Sequence, residues 1–195
     1  MSSPLPDLPR RQLSGRNPEM VARLLDAAVT EVAATGYDGL TVRNVARAAG
    51  VSPASAYTYF ASKEHLLAEV FWRRIAALPP VALPRSAKLE ERVEAAVTPI
   101  ALLVADEPEL AAGVTTALLA HDADVRHLRD QMGSVFAARL QAALGPDATP
   151  EALLGLSMTL TGALLMAGMG NLDYRELGPH VAEFAALLSK KRKRT

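Results

Sequence analysis

The chain has 195 residues, 21 Lys and Arg against 21 Asp and Glu, and half of its residues are hydrophobic. That length suits one large or two small domains with ample material for a core. It contains no cysteine, which excludes disulfides, zinc–thiolate sites and a cysteine nucleophile.

The formal net charge of zero is a sum of unlike parts. Residues 1–75 carry nine basic and seven acidic side chains, residues 76–189 seven and fourteen, and residues 190–195 five basic ones. Basic groups gathered on one face can meet a polyanion although the whole chain is neutral, and the acidic middle argues against such contact there.

Residues 1–16 are rich in proline and polar groups and read as a disordered arm made basic by Arg10, Arg11 and Arg16. Either the arm is a solvated tail, or it reaches a minor groove or phosphate. It has no apolar h-region, so no signal peptide is expected. Asn17 and Pro18 cap and start a first helix whose apolar face is Val21, Leu24, Leu25, Ala28, Val29 and Val32, and Gly36 ends it.

Thr41 to Lys63 then reads TVRNVARAAGVSPASAYTYFASK. Thr41 suits a cap, Val42, Val45, Ala46 and Ala49 form an apolar side, and Gly50 stops the helix because glycine enters the left-handed region cheaply. Ser52 and Pro53 are a cap and a first-position proline for a second short helix through Phe60. Ser62 is the expected cap of a further helix, Lys63 to about Leu78, with His65 as a surface or capping group. Two short helices joined by a tight glycine turn predict a helix-turn-helix, whose second helix enters the DNA major groove. The alternative is a helical hairpin of an unrelated all-α domain; the agreement of cap, turn, proline and aromatics favours the helix-turn-helix.

The run GYDGLTVRNVARAAGVSPASAYTYFASKEHLL resembles the DNA-binding signature of the tetracycline-repressor (TetR) family of bacterial transcription regulators, over about residues 17 to 75. The rest matches the family only in length and helical character. The resemblance implies that Pro53, Ala54, Ser55, Thr58 and Tyr59 face the groove. It also implies that Thr41, Arg43, Tyr57, Tyr59 and Lys63 touch phosphate. Ser52, at a helix start, also suits a phosphate oxygen. Val42 departs from the polar residue many relatives carry, so no contact is assigned there.

Residues 79–86 read as a linker. Beyond it, helices are expected over about 87–105 with a kink at Pro99, 108–120, 122–144, 152–171 and 179–188. The stretch ALLGLSMTLTGALLMAGMGN is uncharged and long enough to suggest a membrane span. Its hydroxyls and glycines, and its isolation as a single span, favour a helix buried between neighbours instead. Complete burial in so small a domain is easiest if a second subunit covers one side. The resemblance likewise implies a four-helix bundle across a homodimer. Gly155, Gly162, Ala163 and Met166, with Val181, Phe184 and Leu188, are the candidate contacts. KKRKR at 190–194 reads as a solvated basic tail.

The resemblance also implies an apolar small-molecule effector. Trp72, Ile100, Val104, Met132, Phe136, Met158 and Leu165 are candidate lining groups, and His121 and Thr161 candidate polar ones. Four histidines show no metal spacing, Asp122 and Asp124 are explained as caps, and no phosphate loop or nucleophile elbow is present, so neither enzyme activity nor a cofactor is expected. The expectation is an all-α protein of about nine helices, with a DNA-binding domain over 17–78 and a ligand-binding and dimerisation domain over 87–189. It is a cytoplasmic regulator, most simply a repressor, whose partners are operator DNA, an effector and a second copy. The alternative is a helical ligand-binding or protein-interaction module without operator binding.

Overall fold

The computed structural model describes residues 17–81 and 87–192, and the side chains of 17–81 and 87–187. The basic arm, most of the linker and the last residues of the tail lie outside them. Among the described residues there are nine α-helices and no strand: α1 (Pro18–Gly39), α2 (Val42–Ala48), α3 (Pro53–Tyr59), α4 (Lys63–Ala76), α5 (Leu89–Ala101), α6 (Pro108–Leu118), α7 (Ala123–Leu144), α8 (Pro150–Gly168) and α9 (Leu177–Arg192).

Each start has a local cause. The side chains of Asn17, Thr41, Ser52, Ser62, Asp122 and Thr149 accept from free N–H groups in the first turns of α1, α2, α3, α4, α7 and α8. Proline occupies the first helical position of α1, α3, α6 and α8. Gly36 interrupts α1 with φ 66°, so the long first helix ends there in substance and one more turn follows to Gly39. Pro99 falls in the last turn of α5, which ends at Ala101 and not near 105. Pro99 therefore offers no N–H to the Ala95 carbonyl one turn back, and the helix ends two residues after it.

Two cores organise the helices. The first takes Val21, Leu24, Ala28 and Val32 from α1, Val45 from α2, Ala56 and Phe60 from α3 and its end, Leu66 and Leu67 from α4, Val114 from α6 and Met132 from α7. The second joins α5, α7, α8 and α9 through Val97, Ile100, Leu140, Leu160 and Val181. The first core thus runs past the 79–86 connection, because α6 packs on both α1 and α4.

Polar ties cross the same seam. Arg74 of α4 donates to both Glu107 carboxylate oxygens at 2.5 and 3.0 Å and to Leu103 O at 2.6 Å. Arg139 of α7 is 7% exposed and donates to Ala96 O at 2.9 Å and Pro79 O at 2.7 Å. Burial lowers its affinity for a proton from the ordinary arginine value. His65 is buried, not a surface group: its ring stands edge-on to Phe60 at 5.3 Å, and Nδ1 lies 3.7 Å from Asp124 Oδ2.

α8 is long and apolar enough to cross a bilayer by length and composition. Only Leu156, Leu160 and Ala167 of it are buried within the chain, while Leu154, Met158 and Met166, and Met169 just past its end, are exposed. The expected burial on all sides is therefore not met inside one chain.

Candidate nucleic-acid interface and effector cavity

The α2–α3 unit is built from its turn. Val51 N–H donates to Ala46 O at 2.9 Å and Gly50 N–H to Arg47 O at 3.2 Å, the paired bonds of a glycine-terminated helix end. Gly50 sits at φ 66°, where a Cβ would be strained. Ser52 Oγ accepts from Ser55 N–H at 3.1 Å and lies 2.8 Å from Ser55 Oγ, and Thr58 Oγ1 donates to Ser55 O at 2.6 Å. The turn sets the direction of α3, and these bonds fix its hydroxyls.

Only Ala56 of α3 is buried. Ser52, Pro53, Ala54, Tyr57 and Thr58 are exposed, and Ser55 and Tyr59 are half-buried. Thr41 and Arg43 at the start of α2 are exposed as well, whereas Val42 is buried. Arg47, not singled out from the sequence, is also exposed on α2 and donates to Asn44 Oδ1 at 3.2 Å. Its spacing of four from Arg43 could have revealed it as a second cation on α2.

Lys63 has an internal role that the sequence did not suggest. Its Nζ donates to Tyr37 O at 2.8 Å and lies 3.9 Å above the Tyr37 ring. Tyr37 in turn donates to Glu64 Oε1 at 2.6 Å, and burial, with the Glu64 bond and charge, raises its hydroxyl pKa well above the usual tyrosine value. The trio clasps the end of α1 to the start of α4, beneath the α2–α3 unit.

The candidate effector site is a cavity of about 270 Å³ between α4, α6, α7 and α8. Val104, Met132, Phe136, Thr161 and Leu165, five of the candidate lining groups, border it. Trp72, Ile100, His121 and Met158 do not. Trp72 packs on the first core, Ile100 is fully buried in the second, His121 is exposed in the α6–α7 turn, and Met158 is 67% exposed on the outer face of α8. Thr115, Leu118, Arg129, Leu164 and Tyr174 line it without having been foreseen. The 129, 132, 133 and 136 spacing puts Arg129 on the same face of α7 as Met132 and Phe136, and that signal could have found it. Tyr174 comes from the α8–α9 turn; its burial raises its hydroxyl pKa, which the Thr115 hydroxyl opposes.

Of the dimerisation candidates, Met166 and Phe184 are exposed and a Cβ at Gly155 or Gly162 would meet open space. Ala163 is half-buried. Val181 is corrected: it is fully buried inside the chain, because α9 packs on α5 through it. The Leu188 side chain lies outside the described residues. No cluster of metal-ligating side chains occurs among the described residues.

Residues 24–70 match the family described as bacterial regulatory proteins, tetR family. An uncharacterized HTH-type transcriptional regulator of Mycobacterium tuberculosis strain H37Rv is 40% identical over 168 residues, covering 85% of this chain and 78% of that one. A TetR transcriptional regulator from Rhodococcus sp. RHA1 has the same fold, with a TM-score of 0.70 at 20% identity, covering 86% and 95% of the two chains. The transcriptional regulator FadR from Bacillus subtilis, solved with stearoyl-CoA, has a TM-score of 0.61 at 20% identity, covering 84% and 96%. In this chain a helix-turn-helix built on Gly50 and Ser52 stands at the head of an all-helical fold, and the chain belongs to the tetR family of bacterial regulatory proteins, which are transcriptional regulators and not enzymes.

Proposed function

We propose that this regulator binds palindromic operator DNA as a homodimer, represses by doing so, and is released by an apolar small-molecule effector. The observation that carries the DNA reading is the one-sided anchoring of α3. Ala56 and Phe60 bury, and Pro53, Ala54, Tyr57 and Thr58 are left outward for a major groove. Thr41, Arg43, Ser52, Tyr57, Tyr59 and Lys63 are the phosphate contacts, Lys63 through the ammonium protons that Tyr37 does not engage. Ala54 offers no hydrogen bond to a base, so Pro53, Ser55, Thr58 and Tyr59 read by shape and methyl contacts as much as by polar ones.

The outward apolar face of α8, continued by Phe184 of α9, supports a second copy of the chain as its cover, in preference to a bilayer. A two-fold dimer presents two α3 helices, and successive major-groove faces lie about 34–36 Å apart. The cavity supports an effector that acts by population shift: it must bind better to a dimer whose α3 helices are set at another spacing. α6 is the natural coupler, since it lines the cavity through Val114 and Thr115 and packs on α1 and α4. Action on DNA places the protein in the cytoplasm, and no cofactor is required.

The test is selection from a random duplex pool by the purified chain at physiological salt, followed by sequencing. An enriched inverted repeat is the expected result. Salt-sensitive binding without any enriched sequence, with or without candidate effectors, sinks the operator reading.

A further inference from the structure

The lining of the effector cavity narrows what can occupy it. Among the described residues that line it, only Arg129 is charged. Among the polar lining groups, Thr115 Oγ1 already donates to Ala111 O at 2.9 Å. Arg129 is half-buried and engages through Nη1 alone, which donates to Leu118 O at 2.6 Å and Ala120 O at 3.0 Å. Among the described residues no carboxylate pairs with it.

A guanidinium carries five donors in one plane. Nε and Nη2 have no acceptor among the described residues and are not among the buried unpaired atoms, so they keep accessible surface from which they can meet an acceptor in the cavity. The acceptor that matches a planar fork is a carboxylate, with two coplanar oxygens and one negative charge. A phosphate dianion would bring a second charge, and no second cation among the described residues lines the cavity. A cavity of about 150 Å³ takes benzene, so 270 Å³ suits an apolar body of about ten non-hydrogen atoms.

We infer that the effector is a monocarboxylic acid with an apolar body of that size, its carboxylate held by Arg129. Because Nη1 of the same guanidinium holds the carbonyls at the end of α6, the ligand's charge is fastened to the helix that packs on α1 and α4. Ligand class and coupling thus meet in one residue. The inference rests on the cavity being the effector site.

The test uses the full chain and calorimetry with octanoate, decanoate and dodecanoate against the matching primary alcohols. At least one acid should bind about tenfold or more tighter than its alcohol, as a charged hydrogen-bonding pair provides. Arg129→Gln should abolish that preference and leave alcohol binding in place, and Arg129→Lys, which keeps the charge but not the fork, should retain part of it. If Arg129→Gln does not fold, the wild-type ratio and the lysine variant decide. Equal binding of acid and alcohol, both blocked by Met132→Trp, would overturn the carboxylate inference and leave the cavity as effector site. An acid preference that survives Arg129→Gln would also overturn it. Binding of neither series overturns both readings.

Discussion

α3 and α8 both leave most of their surface outside the chain's own core, and they do so with opposite chemistry. α3 buries Ala56 and shows hydroxyls, a proline and Tyr57. α8 buries Leu156, Leu160 and Ala167 and shows Leu154, Met158 and Met166, with Met169 exposed just past its end. A polar helix with satisfied caps can stand in water until a charged partner arrives. An apolar helix of 19 residues loses by standing in water, and its cover is needed all the time. On the proposed reading, the difference separates a surface for reversible recognition from one for permanent association.

The sharpest way to break the comparison is to remove what holds α3 from beneath. Phe60→Ala empties a fully buried site and should cost about 3–5 kcal/mol, read as a lower urea midpoint; a loss under about 1 kcal/mol would show that α3 is anchored elsewhere. Next, Met158→Glu places a charge in the outer face of α8 and should weaken the dimer about a hundredfold, equal to about 2.7 kcal/mol. Sedimentation over a concentration series reads it, and an unchanged dimer would move the interface off α8. Ser52→Ala removes the α3 cap and should cost about 1 kcal/mol of stability, measured by thermal unfolding without DNA. Smallest of all, Arg43→Ala should leave stability alone, weaken binding on all duplexes alike and lower the salt slope by about 1. A sequence-selective loss would make Arg43 a base reader.

The helix-turn-helix was legible because its causes are local. Thr41, Gly50, Ser52 and Pro53 each act within a few residues, and each is found as expected. What could not be read is set by distant partners. Lys63 meets Tyr37, 26 residues away, and His65 faces Asp124; no spacing rule connects such pairs. Val181 shows the same limit in the apolar pattern, since periodicity gives a buried face but not whether α5 or another subunit buries it. The cavity lies between these cases. Met132 and Phe136 follow from the α7 stripe, whereas Tyr174 enters from a turn, where no periodicity applies.

The approach of α6 to its neighbours has a mechanical consequence. On one side Gly113 brings its backbone so close that a Cβ would lie 3.1 Å from Leu67 Cδ1 of α4 and 3.4 Å from Val32 Cγ2 of α1. On another, Thr115 presses on α8, where a Cβ at Gly168 would come within 2.7 Å of Thr115 Cβ. Contacts made backbone to side chain have almost no compressible side-chain layer between them. On the proposed effector reading, α6 suits the part of a push-rod with little backlash: a displacement at Thr115 has little side-chain slack to absorb it before it reaches Leu67 of α4 and Val32 of α1.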